Sequence, residues 1–132
     1  MAEVLLASRL RERGIDARVE SAGTSALVGY PADPIAQELL RARGLDLSRH
    51  RARQVTADLV RGFDLVLAME PEHQRVIEAI DPSARGRVHR IGRVGGFDIP
   101  DPYRQGRDSF ERTLQLIERG LDGIAKIFWS TR

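Results

Sequence analysis

Alternating strand-like and helix-like segments predict an α/β fold for this 132-residue chain. Two observations carry that expectation. The run Phe63-Asp64-Leu65-Val66-Leu67-Ala68-Met69 is short and almost continuously apolar, as a parallel strand covered on both faces requires. Around it lie segments with apolar residues three and four apart, bounded by capping and breaking residues. No low-complexity linker, repeat or composition break divides them. A single domain over residues 1–132 is therefore expected, and a hydrophobic content of 42% is enough for one continuous core.

Residues 1–13 have helical spacing, with Met1, Leu5, Leu6 and Leu10 on one face and Gly14 as the stop. The helix starts without a cap, and its α-amino charge would lie at the positive end of the helix dipole, offset only in part by Glu3. Residues 17–22 read as a short strand. Asp33-Pro34 supplies an N-cap and a first-turn proline for a helix carrying Ile35, Leu39 and Leu40, which Gly44 closes. A short helix spans residues 56–62, and the strong strand at residues 63–69 follows it. Glu70-Pro71-Glu72 starts the next helix, whose Val76, Ile77 and Ile80 point inward, and Asp81-Pro82 ends it. Residues 88–92 form a weaker strand.

The last helix has the clearest period. Asp108-Ser109-Phe110-Glu111 has capping-box form, and Phe110, Leu114, Ile117, Leu121, Ile124 and Phe128 recur at steps of three and four. Gly120 and Gly123 each cost about 1 kcal/mol of helix propensity relative to alanine, so packing must compensate.

Composition excludes several kinds of chemistry. The chain has no cysteine, which removes disulfides, thiolate metal sites and any thiol mechanism from these residues. No metal and no cofactor are expected. The net charge is +2, and the cations are arginines apart from Lys126. Arg41, Arg43, Arg49, Arg51 and Arg53 form the densest group, but neither a glycine-rich loop nor stacking aromatics accompany them, so nucleic acid is not an expected partner. No stretch approaches the roughly 20 apolar residues of a membrane span, and residues 1–5 do not have the form of a signal peptide. A soluble, cytoplasmic protein is expected. A P-loop nucleotide site would need Gly-x-x-x-x-Gly-Lys, which is missing.

The motif of greatest chemical weight is Ile99-Pro100-Asp101-Pro102-Tyr103-Arg104. Alone, Asp-Pro-Tyr is equally an ordinary turn. It precedes the last helix, however, and it is joined in order by Ser21-Ala22-Gly23-Thr24, by His50 ahead of Arg51-Ala52-Arg53-Gln54-Val55-Thr56, and by Asp64-Leu65-Val66-Leu67-Ala68-Met69-Glu70. Over nearly its whole length the chain resembles the low-molecular-weight protein tyrosine phosphatases of bacterial type.

That resemblance implies a three-layer α/β fold with a parallel sheet in the order 2-1-3-4. It also implies that Asp101 is the general acid, with Ser21, His50 and Glu70 supporting the phosphate site. Leu27, in Ala26-Leu27-Val28-Gly29, would wall the phosphotyrosine pocket together with Tyr103 and Arg104. Leucine at residue 27 resembles the subgroup acting on tyrosine autokinases of capsule and exopolysaccharide export, so a phosphotyrosine protein of that kind is the implied partner. Arsenate reductases on the same fold need redox cysteines and are excluded.

The same resemblance marks what these residues do not contain. The family's Cys-x-x-x-x-x-Arg-Ser/Thr loop and the strand before it have no counterpart, so the chain as it stands is expected to be an inactive, N-terminally truncated member. Met1 would correspond to a methionine inside the family's first helix. A sheet without its central strand leaves two apolar edges facing a gap. The expectation is a rearranged sheet or one completed by another copy, hence a homo-oligomer; a non-catalytic binding or scaffold protein on the same fold is the alternative.

Overall fold

A computed structural model describes residues 1–129. Helices α1 (Ala2–Glu12), α2 (Pro34–Arg41) and α3 (Ala57–Arg61) precede strand β1 (Val66–Ala68); α4 (Pro71–Ile80), a 3₁₀ turn (Pro82–Ala84), strand β2 (Val88–Arg90) and α5 (Arg107–Phe128) follow. The strands pair in parallel, Val66 with Val88, Leu67 with His89 and Ala68 with Arg90. Alternation along β1 then sends side chains to opposite faces. Leu67 packs into a cluster built from Leu5, Leu39, Leu40, Leu114, Ile117 and Leu121 of α1, α2 and α5. Val66 and Ala68 join Val60, Ile77 and Val88 beside α3 and α4. Helices thus cover both faces of the sheet, which makes three layers.

Local chemistry sets most boundaries. Asp33 accepts from the Ile35 N–H at 2.8 Å and Pro34 opens α2; Thr56 caps α3 through the Leu59 N–H at 3.2 Å. The capping box expected at Asp108 does not form. The N-cap of α5 is Gly106, whose extended backbone turns its carbonyl toward the N–H groups of Ser109 and Phe110 (3.0 and 3.3 Å), so the helix begins earlier and Asp108 lies within its first turn. Along α5, a β-carbon added at Gly120 would come within 2.5 Å of Ile91 Cγ2 and 2.9 Å of the Ile91 carbonyl oxygen. This glycine gives up helix propensity to let α5 lie directly on the chain leaving β2.

The strand expected at residues 17–22 is not formed. Among the described residues that segment has no ladder partner, and the only pairing beside it is a parallel bridge from Gly23 to Gln54. The reason lies opposite it. Residues 17–22 and the free edge of β1 line one cleft of about 1370 Å³, and no backbone hydrogen bond joins them among the described residues. Both apolar clusters contribute to the lining of this cleft, Leu6 and Ile117 from one and Val55, Val60 and Ile77 from the other. No helix among the described residues is long and apolar enough to cross a membrane.

Candidate functional site

The cleft lining includes chemistry-bearing side chains from several parts of the chain. Ser21, His50, Glu70, Asp101 and Tyr103 all line it, together with Met1, Ala2 and Glu3 at the N-terminus of α1. Asp101 and Tyr103 share one loop and the others arrive on separate segments, so the site is made by the fold.

Asp101 is exposed on the loop between β2 and α5, and its Oδ1 accepts from the Tyr103 N–H at 3.0 Å, closing an Asx turn. The Gln105 N–H bonds to the Pro102 carbonyl at 2.9 Å. Two anchors hold the start of this loop: the Ile99 N–H donates to the Met69 carbonyl at 3.0 Å, and the Thr113 hydroxyl donates to the Pro100 carbonyl at 3.4 Å. The first ties the loop to the end of β1. A carboxyl group held on an exposed, anchored turn at the mouth of a cleft can deliver a proton to a group seated there.

Opposite, the Ser21 hydroxyl donates to Glu3 Oε1 at 2.6 Å, joining the 17–22 segment to the first turn of α1. Arg53 reinforces the same corner, its Nε donating to the Ser21 carbonyl at 2.9 Å and its Nη2 to Glu20 at 2.5 Å. Removing the hydroxyl leaves Glu3 without this charge-assisted bond. The Ser21→Ala variant is expected to lose about 1–2 kcal/mol, read as a lower urea midpoint at unchanged slope.

His50 sits between burial and cations. Desolvation lowers its pKa first, then the nearby Met1 ammonium, with Glu3 opposing and Arg51 and Arg53 adding to the depression. The Met1 ammonium is itself buried and pushed below its ordinary pKa by desolvation. A histidine whose folded pKa lies below its unfolded value costs the fold nothing above about pH 6.5. As the pH falls below that value, the unfolded chain takes up the proton more readily and stability drops. Urea midpoints between pH 7.5 and 5.5 should therefore fall more steeply for the parent than for His50→Gln.

Glu70 is the N-cap residue of α4 and makes no side-chain capping bond; its Oε1 lies 3.8 Å from His73 Nε2. Tyr103 is half exposed at the cleft mouth. Leu27 and Arg104 stand outside the cleft lining. Leu27 is half exposed near the tip of the 24–30 loop, and Arg104 carries its guanidinium 5.3 Å above the Tyr103 ring. Arg104 is the one non-glycine residue in the left-handed region among those described, with φ of 63°.

Sequence reading missed two supporting residues, Glu3 as the partner of Ser21 and Gln54 as the clamp of the 24–30 loop. Gln54 accepts from the Ala26 N–H at 3.0 Å and donates to the Thr24 carbonyl at 2.8 Å. Glu3 had a visible signal, an acidic residue in a first turn, but the dipole accounted for it. Gln54 had none, because its bonds span about thirty residues.

Comparison with known proteins gives a single picture. The family model for low molecular weight phosphotyrosine protein phosphatases matches residues 1–129. The probable low molecular weight protein-tyrosine-phosphatase EpsP of Ralstonia solanacearum is 49% identical over 104 residues, covering 79% of this chain and 72% of that protein. The low molecular weight protein-tyrosine-phosphatase Etp of Escherichia coli K12 is 40% identical over 118 residues, 89% of this chain and 80% of that one. In three dimensions, Vibrio vulnificus Wzb in complex with benzylphosphonate superposes with a TM-score of 0.88 at 36% identity, over 96% of this chain and 88% of that one.

Proposed function

Because the chain belongs to the low molecular weight phosphotyrosine protein phosphatase family, we propose that it is the substrate-holding, proton-donating body of such an enzyme, directed at phosphotyrosine on a partner protein. The observation that supports this reading is the sharing of one cleft lining by Asp101, Ser21, His50, Glu70 and Tyr103 with the first residues of α1, to which Ser21 is bonded. In the proposed reaction a phosphorylated tyrosine enters beside the Tyr103 ring. With a thiolate supplied from outside these residues, a P–S bond forms as the P–O bond breaks and the Asp101 carboxyl protonates the departing phenol oxygen; its carboxylate then takes a proton from the water that displaces the thiolate and releases phosphate. Ser21, His50 and Glu70 hold the surrounding segments, and Leu27 and Arg104 extend the wall outward.

The first half of that reaction needs a nucleophile. Attack on phosphorus in this family is made by a thiolate, and the 132 residues contain none. No other side chain around the cleft supplies an equivalent, so the chain by itself is proposed to be inactive. The test is direct. A fusion that adds a strand and a Cys-x-x-x-x-x-Arg loop ahead of α1 should hydrolyse p-nitrophenyl phosphate while the 132-residue chain does not; a silent fusion of native fold, or turnover by the chain alone, overturns the reading. The missing thiol also favours the alternative of a binding or scaffold protein, for which phosphotyrosine-peptide binding without turnover is the mark.

The partner proposed is a tyrosine kinase that phosphorylates itself, met in the cytoplasm. A second copy of the chain is a further proposed partner, because the unpaired edge of β1 and two apolar clusters border an open cleft. Light scattering after size exclusion should report a dimer or higher species, and a monomer at all concentrations removes the proposal.

A further inference from the structure

The second half of α5 and the loop that follows β2 meet in a seam that the proposed chemistry does not use. A pocket of about 240 Å³ lies in this seam, bounded by Val94 and Phe97 from the loop and by Arg119, Gly123 and Lys126 from the helix. It shares no lining residue with the cleft. Gly123 is about 15 Å along α5 from Thr113, the anchor of the Asp101 loop.

Apolar side chains stay exposed along the seam. Val94, which rests against Gly123, is 57% exposed, and Ile127 and Phe128 present 49% and 39% of their surface. Gly120, Gly123 and Ile127 recur at steps of three and four, so Ile127 continues the helix face on which Val94 lies. Phe128 is held in place, its ring centroid 5.2 Å from that of His89. Apolar groups fixed in water beside a concave pocket have the form of a recognition surface.

Charge around the pocket indicates what it would recognise. Arg93 donates to His89 Nδ1 at 2.8 Å, the Arg119 guanidinium lies 5.0 Å from the Phe97 ring centroid, and none of Arg93, Arg119 and Lys126 has a carboxylate within salt-bridge distance among the described residues. The two carboxylates nearby are already taken. Asp122, one turn before Lys126, pairs with Arg9, and Asp98 pairs with Arg90 at 2.8 Å. Three cations without a carboxylate of their own around an apolar pocket fit a segment that brings acidic and apolar side chains together.

We infer that the seam between the 92–98 loop and residues 119–128 of α5 is a docking surface for an acidic, apolar-containing polypeptide segment of a partner protein, which seats an apolar side chain in the pocket and carboxylates on Arg93, Arg119 and Lys126. This goes beyond the phosphatase reading, because neither phosphate nor Asp101 takes part. A membrane surface is the less favoured occupant: it does not fill a concave pocket, and polybasic anchors carry larger clusters than three cations.

Lys126 is the one lysine of the chain, so the contact can be located without a variant. An N-terminally labelled, unphosphorylated short peptide of alternating Glu and Leu is titrated against the 132-residue chain by fluorescence polarisation, and the mixture is then treated with a carbodiimide, which joins a peptide carboxylate to a protein amine. Saturable binding that weakens with salt is expected, with the adduct at Lys126 in the mass spectrum. Val94→Asp and the double variant Arg119→Glu, Lys126→Glu should each weaken binding about tenfold at unchanged far-ultraviolet circular dichroism, while Arg85→Glu, the same kind of charge change on the 3₁₀-turn side, should leave it intact. No binding, an adduct only at the Met1 α-amino group, equal binding of a peptide with Lys in place of Glu, a natively folded double variant that binds like the parent, or binding only to phosphatidylserine vesicles would overturn it. Loss of this site leaves the phosphatase reading standing, and a silent fusion enzyme leaves this one standing.

Discussion

In the thiol-completed fusion, Asp101→Asn is expected to lower kcat for phosphotyrosine about 10²–10⁴-fold, and to lower it less for p-nitrophenyl phosphate. The difference between substrates follows from the leaving group. A tyrosine phenol has a pKa of about 10 and departs poorly as its anion, so it needs the proton that Asp101 supplies; the more acidic nitrophenol needs it less. Asparagine suits this comparison because the carboxyl oxygen that accepts from the Tyr103 N–H has a counterpart in the amide, so the Asx turn is kept. The loop stays tied to Met69 and Thr113 by bonds that do not involve residue 101. A loss of rate with unchanged KM and a vanished basic limb in the pH profile would identify a proton donor. Equal losses on both substrates would place the effect of residue 101 in the phosphate-release step common to both rather than in protonation of the leaving group, and parent-like rates would remove the assignment altogether.

Much of this site was legible before the fold because its parts announce themselves locally. Asp101 lies in a Pro-Asp-Pro-Tyr turn, Glu70 precedes a helix-starting proline, and Asp33 and Thr56 cap helices through bonds that reach only two or three residues. The helices of both faces could be read from their period, and the parallel strand from its unbroken apolar run. What could not be read depends on partners distant in sequence. Residues 17–22 have strand-like composition, but a strand exists only where another chain segment accepts its hydrogen bonds, and among the described residues none does so. The start of α5 was misplaced for a related reason: Asp108 satisfies the sequence rule for a cap, and the extended backbone at Gly106 wins because its carbonyl reaches the first N–H groups. The support of Ser21 by Glu3 and of the 24–30 loop by Gln54 is likewise a product of the assembled fold.

Gly120→Ala separates local propensity from packing most sharply. Propensity alone says that alanine in mid-helix stabilises by about 1 kcal/mol. Geometry says the reverse, because the new methyl group would lie 2.5 Å from Ile91 Cγ2 and 2.9 Å from the Ile91 carbonyl oxygen. Ile91 is buried at the exit of β2, and its N–H bonds to the Ala68 carbonyl at 2.8 Å. Neither its side chain nor its backbone can withdraw without disturbing that parallel pairing, so α5 itself must shift. Overpacking of this kind costs about 1–3 kcal/mol, enough to outweigh the helical gain. Gly123 provides the contrast on the same helix: its nearest neighbour is Val94 Cβ, at 2.9 Å, which can withdraw only with its backbone, but Val94 is more than half exposed on a loop and so is less constrained than Ile91. Thermal or urea unfolding should therefore show Gly120→Ala clearly destabilised and Gly123→Ala destabilised less. If both variants gained stability alike, the contact between α5 and the end of β2 would be looser than described, and propensity would govern this helix after all.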